Sequence, residues 1–562
     1  MKYLSFCFVA SVLVVLTACG SSDQQEDEAG TGGGGAASLS GGAAAGGRAA
    51  GGSMASGGST ASSEGATASG GVPASGGSPA SGGVDGAGEL AGRMTPPKTY
   101  NPTTKYEWTA PAADVVVNAL SAGAAGAVTL ADALASAGHG TVIRIAPSLA
   151  GAVLRTNAPL VVGKSVTLDA SQAPGFTIDA GETKGGLRVG RDVHTRFIGL
   201  TIKNVRTTDV GGGLYVDQAD GAERGSVEVI GCTFENNHGA ATGGLYIRRR
   251  MNAIVRDSVF RKNRGLNAQG DDLGKAGGAI SSRAEGSLRI ERVVFVENDS
   301  PEAGALYSIG QPLTVIHSVF LDNGGTAGHG AILSDGGSPL QLEGVLLQGN
   351  HGAAFGGAIQ LYGYAKQGDH VIVKRSVFVD NWTTNNKGGA AYLIGAKIDI
   401  ESSVFVRNRS LVDAGAIYFP GAGDVRITNS VFGDNVCTSR SGGGFRKDGG
   451  GPVTIERSLF AYNQAGESGG GFWMQPTLAV SFAKTIFTEN KGGPFVGAAA
   501  TNAGGNLFFP VVNNPQGALA NSTFADPRLG PLTETNGVYW YPLQAGSPAA
   551  DIGPSFPETQ GN

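Results

Sequence analysis

The run Val425-Arg426-Ile427-Thr428-Asn429-Ser430-Val431-Phe432-Gly433-Asp434-Asn435 decides how this chain folds. It holds an alternating apolar pair, Val425 and Ile427, then a small residue, Ser430, then Phe432 and Asn435 three positions later. Alternation with period two is the signature of a strand with one face in a core. The same grammar recurs along the chain. Phe-x-x-Asn pairs stand at Phe234/Asn237, Phe260/Asn263, Phe295/Asn298, Phe320/Asn323, Phe378/Asn381, Phe405/Asn408, Phe432/Asn435, Phe460/Asn463 and Phe487/Asn490, with Leu347/Asn350 filling the gap. The repeat is about 27 residues long, and the interval of 35 between Phe260 and Phe295 marks an insertion. A fixed period in this range signals a solenoid.

A second signature precedes the next Phe: Gly243-Gly244-Leu245-Tyr246, Gly277-Gly278-Ala279-Ile280, Gly356-Gly357-Ala358-Ile359, Gly415-Ala416-Ile417-Tyr418 and Gly470-Gly471-Phe472-Trp473. Each unit therefore holds three short strands separated by Gly and Asn corners, which is one triangular coil. Coils stacked in register place Phe on Phe, aliphatic on aliphatic and Asn on Asn. The expected fold class is all-β, a right-handed single-stranded parallel β-helix of about 27 residues per coil. A short N-terminal capping helix is expected over Thr129 to Ala137, with Thr129 and Asp132 as its capping pair.

The rest of the chain has a different composition. Of 562 residues 94 are Gly, only 15% are charged, and the formal net charge of −5 lacks the basic excess that nucleic-acid binding requires. Lys2 followed by the apolar run Leu4 to Leu16 reads as a signal peptide, too short to span a bilayer. Leu16-Thr17-Ala18-Cys19 resembles the bacterial lipobox, which implies lipidation at Cys19 and, with Gly20 rather than Asp next, an outer-membrane lipid as partner and a cell-surface or outer-membrane location. Acyl chains anchor without a transmembrane helix. Residues 20–95 are a Gly/Ser/Ala-rich tether with too little apolar surface to fold and a reach of roughly 40 to 50 Å. The β-helix is expected over 96–525 and a C-terminal capping tail over 526–562. Within the body only Cys232 and Cys437 remain. Seven coils at about 4.8 Å each put them roughly 34 Å apart, so they cannot form a disulfide.

With these repeats the body, roughly residues 110 to 555, resembles the bacterial β-helix proteins of the pectin-lyase-like superfamily. Val128-Thr129-Leu130-Ala131-Asp132-Ala133-Leu134 and Val166-Thr167-Leu168-Asp169-Ala170 look like the opening of such solenoids. Asp526-Pro527-Arg528-Leu529-Gly530-Pro531-Leu532, followed by Ala545-Gly546-Ser547-Pro548-Ala549-Ala550-Asp551-Ile552-Gly553, is similar to the tail of choice-of-anchor Q proteins. That resemblance implies fold and location but no activity.

The superfamily contains polysaccharide lyases and glycoside hydrolases, and polygalacturonases carry Asn-Thr-Asp, Asp-Asp, Gly-His-Gly and Arg-Ile-Lys segments. This chain offers Gly270-Asp271-Asp272 and Gly328-His329-Gly330 alone. Asp271, Asp272 and His329 are thus the catalytic candidates. The acidic pair would admit a Ca²⁺ ion, though no cofactor is required and no metal site is assigned. His329 also occupies an ordinary Gly-Gly-Ala-Ile corner, and Asp271 and Asp272 fall in a long loop. Arg248, Arg249 and Arg250 form a basic cluster on a strand and read as a solvated face compatible with anionic glycans.

One position past the inward residue of the Gly corner, the coils carry Tyr307, Leu333, Gln360, Tyr392, Tyr418, Arg446 and Trp473. With Ile280, Leu306, Ile332, Ile359, Ile417, Phe445 and Phe472 pointing inward, this column points out. An aromatic stripe of this kind suits sugar rings or a partner protein, unless surface loops cover it as a secondary core. Three functions follow: an adhesin or glycan-binding surface protein without catalysis, a polysaccharide lyase or hydrolase, and a structural spacer.

Overall fold

The structure is a computed structural model. It describes residues 108–554, apart from 192, 218–224, 267–276, 284, 363–369, 396, 498–499, 511–521 and 536. The signal segment, Cys19, the tether, Asp271 and Asp272 lie outside the described residues.

The described chain is a right-handed parallel β-helix. One coil runs through Asp424–Thr428, Val431–Gly433, the two-residue strand Val436–Cys437 and Phe445–Lys447. Each strand pairs in parallel with its counterpart one coil away. Among the described residues this gives two 15-stranded sheets, sheet I (the Val425/Ile427 type) and sheet II (the Phe type), and a 13-stranded sheet III (the Gly-corner type). Three strands per coil were expected. The short strand just after the Asn adds a fourth, nine-stranded ladder between sheets II and III.

The corners explain why the sequence repeats as it does. The residue before each repeated Asn sits in the left-handed region, as at Asp380, Arg407 and Asp434, and so does the residue before each repeated Ser. A non-glycine residue there costs roughly 1–2 kcal/mol. The Asn beside it offsets that cost. Asn408 is fully buried; its Nδ2 donates to the Phe378 carbonyl at 2.9 Å and to Asn435 Oδ1 at 3.0 Å, and its Oδ1 accepts from the backbone N–H and Nδ2 of Asn381. The pattern runs from Asn237 to Asn490, one amide per coil. A parallel column of hydroxyls holds the other corner: Ser403 Oγ accepts the Ser376 N–H at 3.2 Å and donates to the Glu401 carbonyl at 2.9 Å. Cys232 takes a slot in that column. Burial pushes its thiol up to about 12, and both body cysteines are free.

Inside, the Phe column stacks face to face, with Phe405–Phe432 at 4.9 Å and Phe432–Phe460 at 4.7 Å between centroids. The Gly-Gly signature is a close-approach requirement. A Cβ on Gly357 would stand 2.1 Å from the Gly389 carbonyl oxygen, and one on Gly443 2.3 Å from that of Gly470.

The N-terminal helix forms over Leu130–Ser136 with Thr129 and Asp132 making the reciprocal capping box, and it buries Leu130, Ala133 and Leu134. The C-terminal tail does more than close an end. Thr523–Phe524 adds the last strand of sheet II. The chain then turns back along the outside of that sheet, where Val538, Tyr539, Tyr541 and Leu543 bury an outward apolar stripe that includes Val377, Val404, Val431, Leu459 and Ile486. Tyr541 donates to Asp434 Oδ2 at 2.5 Å and Arg407 lies 5.1 Å over the Tyr539 ring.

Two outcomes follow. Asn408→Ala strands a buried amide, an N–H and a carbonyl at once, and is expected to cost about 2–4 kcal/mol, read as a lower midpoint in urea denaturation. Removing residues 526–562 uncovers the sheet II stripe and is expected to give a folded but self-associating chain that binds a hydrophobic dye; an unchanged monomer would contradict this packing.

Candidate functional site

The outward column of sheet III is continuous over more coils than the repeat signature indicated. In register it reads Val161, Arg188, Tyr215, Tyr246, Ser281, Tyr307, Leu333, Gln360, Tyr392, Tyr418, Arg446, Trp473 and Val496. The expected inward residues, Ile280 through Phe472, are all buried. The expectation that the column itself is an open stripe needs correction. Tyr307 and Leu333 are fully buried, and Gln360 and Tyr418 nearly so. Tyr392, Arg446 and Trp473 remain half-buried.

Two physical causes close the stripe. In-register rings about 4.8 Å apart stack on one another and leave no gap for a ligand ring. Tyr215 and Tyr246 lie 5.5 Å apart with an interplanar angle of 2°, and Tyr392 and Tyr418 5.3 Å apart. The turn leading from the short ladder into sheet III also folds over the column, bridging from coil to coil through Gly211, Thr242, Gly277, Ala303 and His329.

That turn supplies chemistry in the later coils. Phe355, Lys387 and Asp413 occupy equivalent places just before the Gly corner and lean over the column. The Phe355 ring meets Tyr392 at 4.6 Å. Asp413 is fully buried and bridges Arg446 Nη1 at 2.5 Å and Lys387 Nζ at 3.4 Å. Lys387 Nζ donates to Tyr418 Oη at 3.1 Å and stands 4.6 Å from its ring centroid. On the opposite rim Asp448 receives Arg446 Nε at 2.7 Å and the Tyr418 hydroxyl. Arg446 lies 4.0 Å over Trp473. Two cations and two carboxylates thus neutralise each other around one phenol. Burial, then the hydrogen bond to Asp448, pushes Tyr418 well above the usual tyrosine range, so it stays a neutral donor.

The rim is held from below. Lys447 is buried, and its Nζ donates to the carbonyls of Gly421 at 3.0 Å, Gly423 at 2.9 Å and Gly450 at 2.5 Å. It ties the turn carrying Asp448 to the turn one coil earlier, with the Phe419 ring 4.3 Å away. Burial brings its ammonium down to about 8.

Among the sequence candidates, His329 places its Nε2 3.8 Å from Glu302 Oε2 and its ring 6.5 Å from Phe355, at the head of the aromatic row. Arg248 to Arg250 follow the strand Leu245–Ile247 rather than lying on it. Arg248 pairs with Asp217 and Arg250 with Glu285, so the cluster expected as a solvated face is partly paired. No group of three or more His, Cys, Asp or Glu placed to hold a metal occurs among the described residues. Missed in the sequence were Phe355, Lys387, Asp413 and Asp448, which stand outside the strand columns. The exposed rings Tyr362, ending the strand Ile359–Tyr362, and Trp382, stacked on His351 at 4.8 Å, were missed too.

Residues 185–367 match the family model of the right-handed β-helix region. That span is about a third of the 562 residues and ends before the Tyr392 to Trp473 row. No curated protein matches the chain.

Asp413→Asn removes the charge shared by Lys387 and Arg446. Because both cations reach water, the expected cost is about 2 kcal/mol, seen as a lower thermal midpoint with the β-sheet spectrum unchanged.

Proposed function

We propose that this chain is an exported, lipid-anchored surface protein whose solenoid binds polysaccharide without turning it over, using the Tyr392, Arg446 and Trp473 row. The carrying observation is the state of the row's ionisable groups. Asp413 and Asp448 are both engaged by Arg446, and Tyr418 is held protonated, so the cluster is a fixed set of hydrogen-bond donors and acceptors. Around it stand partly exposed rings, with Trp473 ending the row: one face carries Arg446, and the next residue of the column is only Val496. Aromatic edges beside neutralised polar groups suit a hydroxyl-rich chain.

The resemblance to the pectin-lyase-like superfamily and to choice-of-anchor Q proteins supports this reading, the latter pairing one β-helix with varied surface anchors. The lipobox-like Leu16-Thr17-Ala18-Cys19 supplies the anchor, lipid on Cys19, and with it an outer-membrane or cell-surface location. The rival reading, a lyase or hydrolase, draws on Asp271, Asp272 and His329. A surface protein as ligand and a spacer role are outcomes of the same test.

That test is a glycan array with the full-length chain, followed by reducing-sugar and unsaturated-product assays on every hit. Binding without turnover, weakened about tenfold or more in Trp473→Ala and Tyr392→Ala, is expected. Turnover on any hit overturns the non-catalytic reading, and binding indifferent to both substitutions overturns the site.

A further inference from the structure

The same outward column has a second chemistry at its N-terminal end. A cleft of about 260 Å³ opens beside Arg188 and Tyr215, with Lys184, Thr207, Thr208 and Asp209 on its walls. Arg188 and Lys184 are exposed, and among the described residues neither forms a salt bridge; Arg188 lays its guanidinium 4.7 Å over the Tyr215 ring. That stacking fixes one face of the guanidinium and leaves its N–H edge free to donate. Nearby, Asp217 is shared by Arg191 at 3.7 Å and Arg248 at 3.3 Å, so one carboxylate serves two guanidiniums. On a chain of net charge −5, the cleft walls hold two cations, Lys184 and Arg188, against one carboxylate, Asp209.

The cleft lies six coils before Tyr392, roughly 29 Å away at the coil spacing. The column between is buried from Tyr246 to Gln360, so the two are separate sites rather than one open groove. Its volume falls below the roughly 300–1,000 Å³ of sites that enclose a small molecule, which fits a substituent projecting from a polymer. Threonine hydroxyls and an ammonium beside a stacked guanidinium are the donor set for carboxylate or sulfate oxygens.

We infer that the Lys184, Arg188 and Tyr215 cleft is an anion site that captures the carboxylate or sulfate substituents of an acidic polysaccharide, apart from the neutral row at Tyr392 to Trp473. The inference rests on the reading of the solenoid as polysaccharide-binding, but it assigns charge recognition to different residues.

The test measures the full-length chain against immobilised dextran, carboxymethyl dextran and dextran sulfate, which share one backbone. Wild type is expected to hold at least one charged polymer more tightly than dextran, with affinity falling as salt rises. The charged polymer that binds identifies the substituent. Lys184→Ser/Arg188→Ser, both exposed and harmless to the core, is expected to lose about tenfold or more of that affinity and none for dextran. Trp473→Ala separates the two readings: if it leaves polyanion capture intact while Lys184→Ser/Arg188→Ser abolishes it, the cleft stands whatever becomes of the row. Equal polyanion binding by wild type and the double variant overturns the inference, as does wild type that prefers neither charged polymer.

Discussion

The solenoid from Asn237 to Asn490 depends on its buried Asn column. A coil must turn sharply without a helix or a hairpin, so its corners use left-handed backbone at residues such as Asp380, Arg407 and Asp434. Such corners persist only where their surroundings over-determine them. One amide per coil does this, because it has two donors and an acceptor and spends them on two neighbours: Asn408 reaches back to Phe378 and forward to Asn435. The bonds run along the solenoid axis. Each coil therefore fixes the register of the next, and stacking like on like follows in every column.

That rule also sets what the surface can be. Register at about 4.8 Å makes outward aromatic residues bind one another, so a tyrosine row such as Tyr215 and Tyr246 is first a second, outer core. Chemistry enters only where the row is broken. Arg446 interrupts it after Tyr418, Arg188 precedes it before Tyr215, and both guanidiniums lie on aromatic faces. They differ in their partners: Arg446 is neutralised by Asp413 and Asp448, whereas Arg188 has no carboxylate partner among the described residues.

The sequence is legible where a residue's role repeats every coil. Phe, Ser, Asn and Gly-Gly each do one local job against an identical neighbour, so their spacing gives strands, corners and register directly. Legibility stops where a residue contacts something not in its column. Lys387 and Asp413 act from a turn whose path over sheet III depends on how the previous turn lies. Tyr541 meets Asp434 from more than a hundred positions away. Arg248 finds its partner in Asp217, one coil earlier.

The covered stripe on sheet II bears on why polar chemistry collects on sheet III. A parallel solenoid has three faces and must keep apolar outward residues from joining chains together. Sheet I carries cross-coil ion pairs such as Lys374–Glu401 and Arg426–Glu456. Sheet II gives up its outer surface to the tail through Val538, Tyr539 and Tyr541. Sheet III keeps half-buried rings with charged groups at their edges. Its turns vary in sequence between coils, Phe355, Lys387 and Asp413 standing at one equivalent place, and a side chain there can change without disturbing the Asn column. A face whose turns depart from the repeat is free to acquire a ligand.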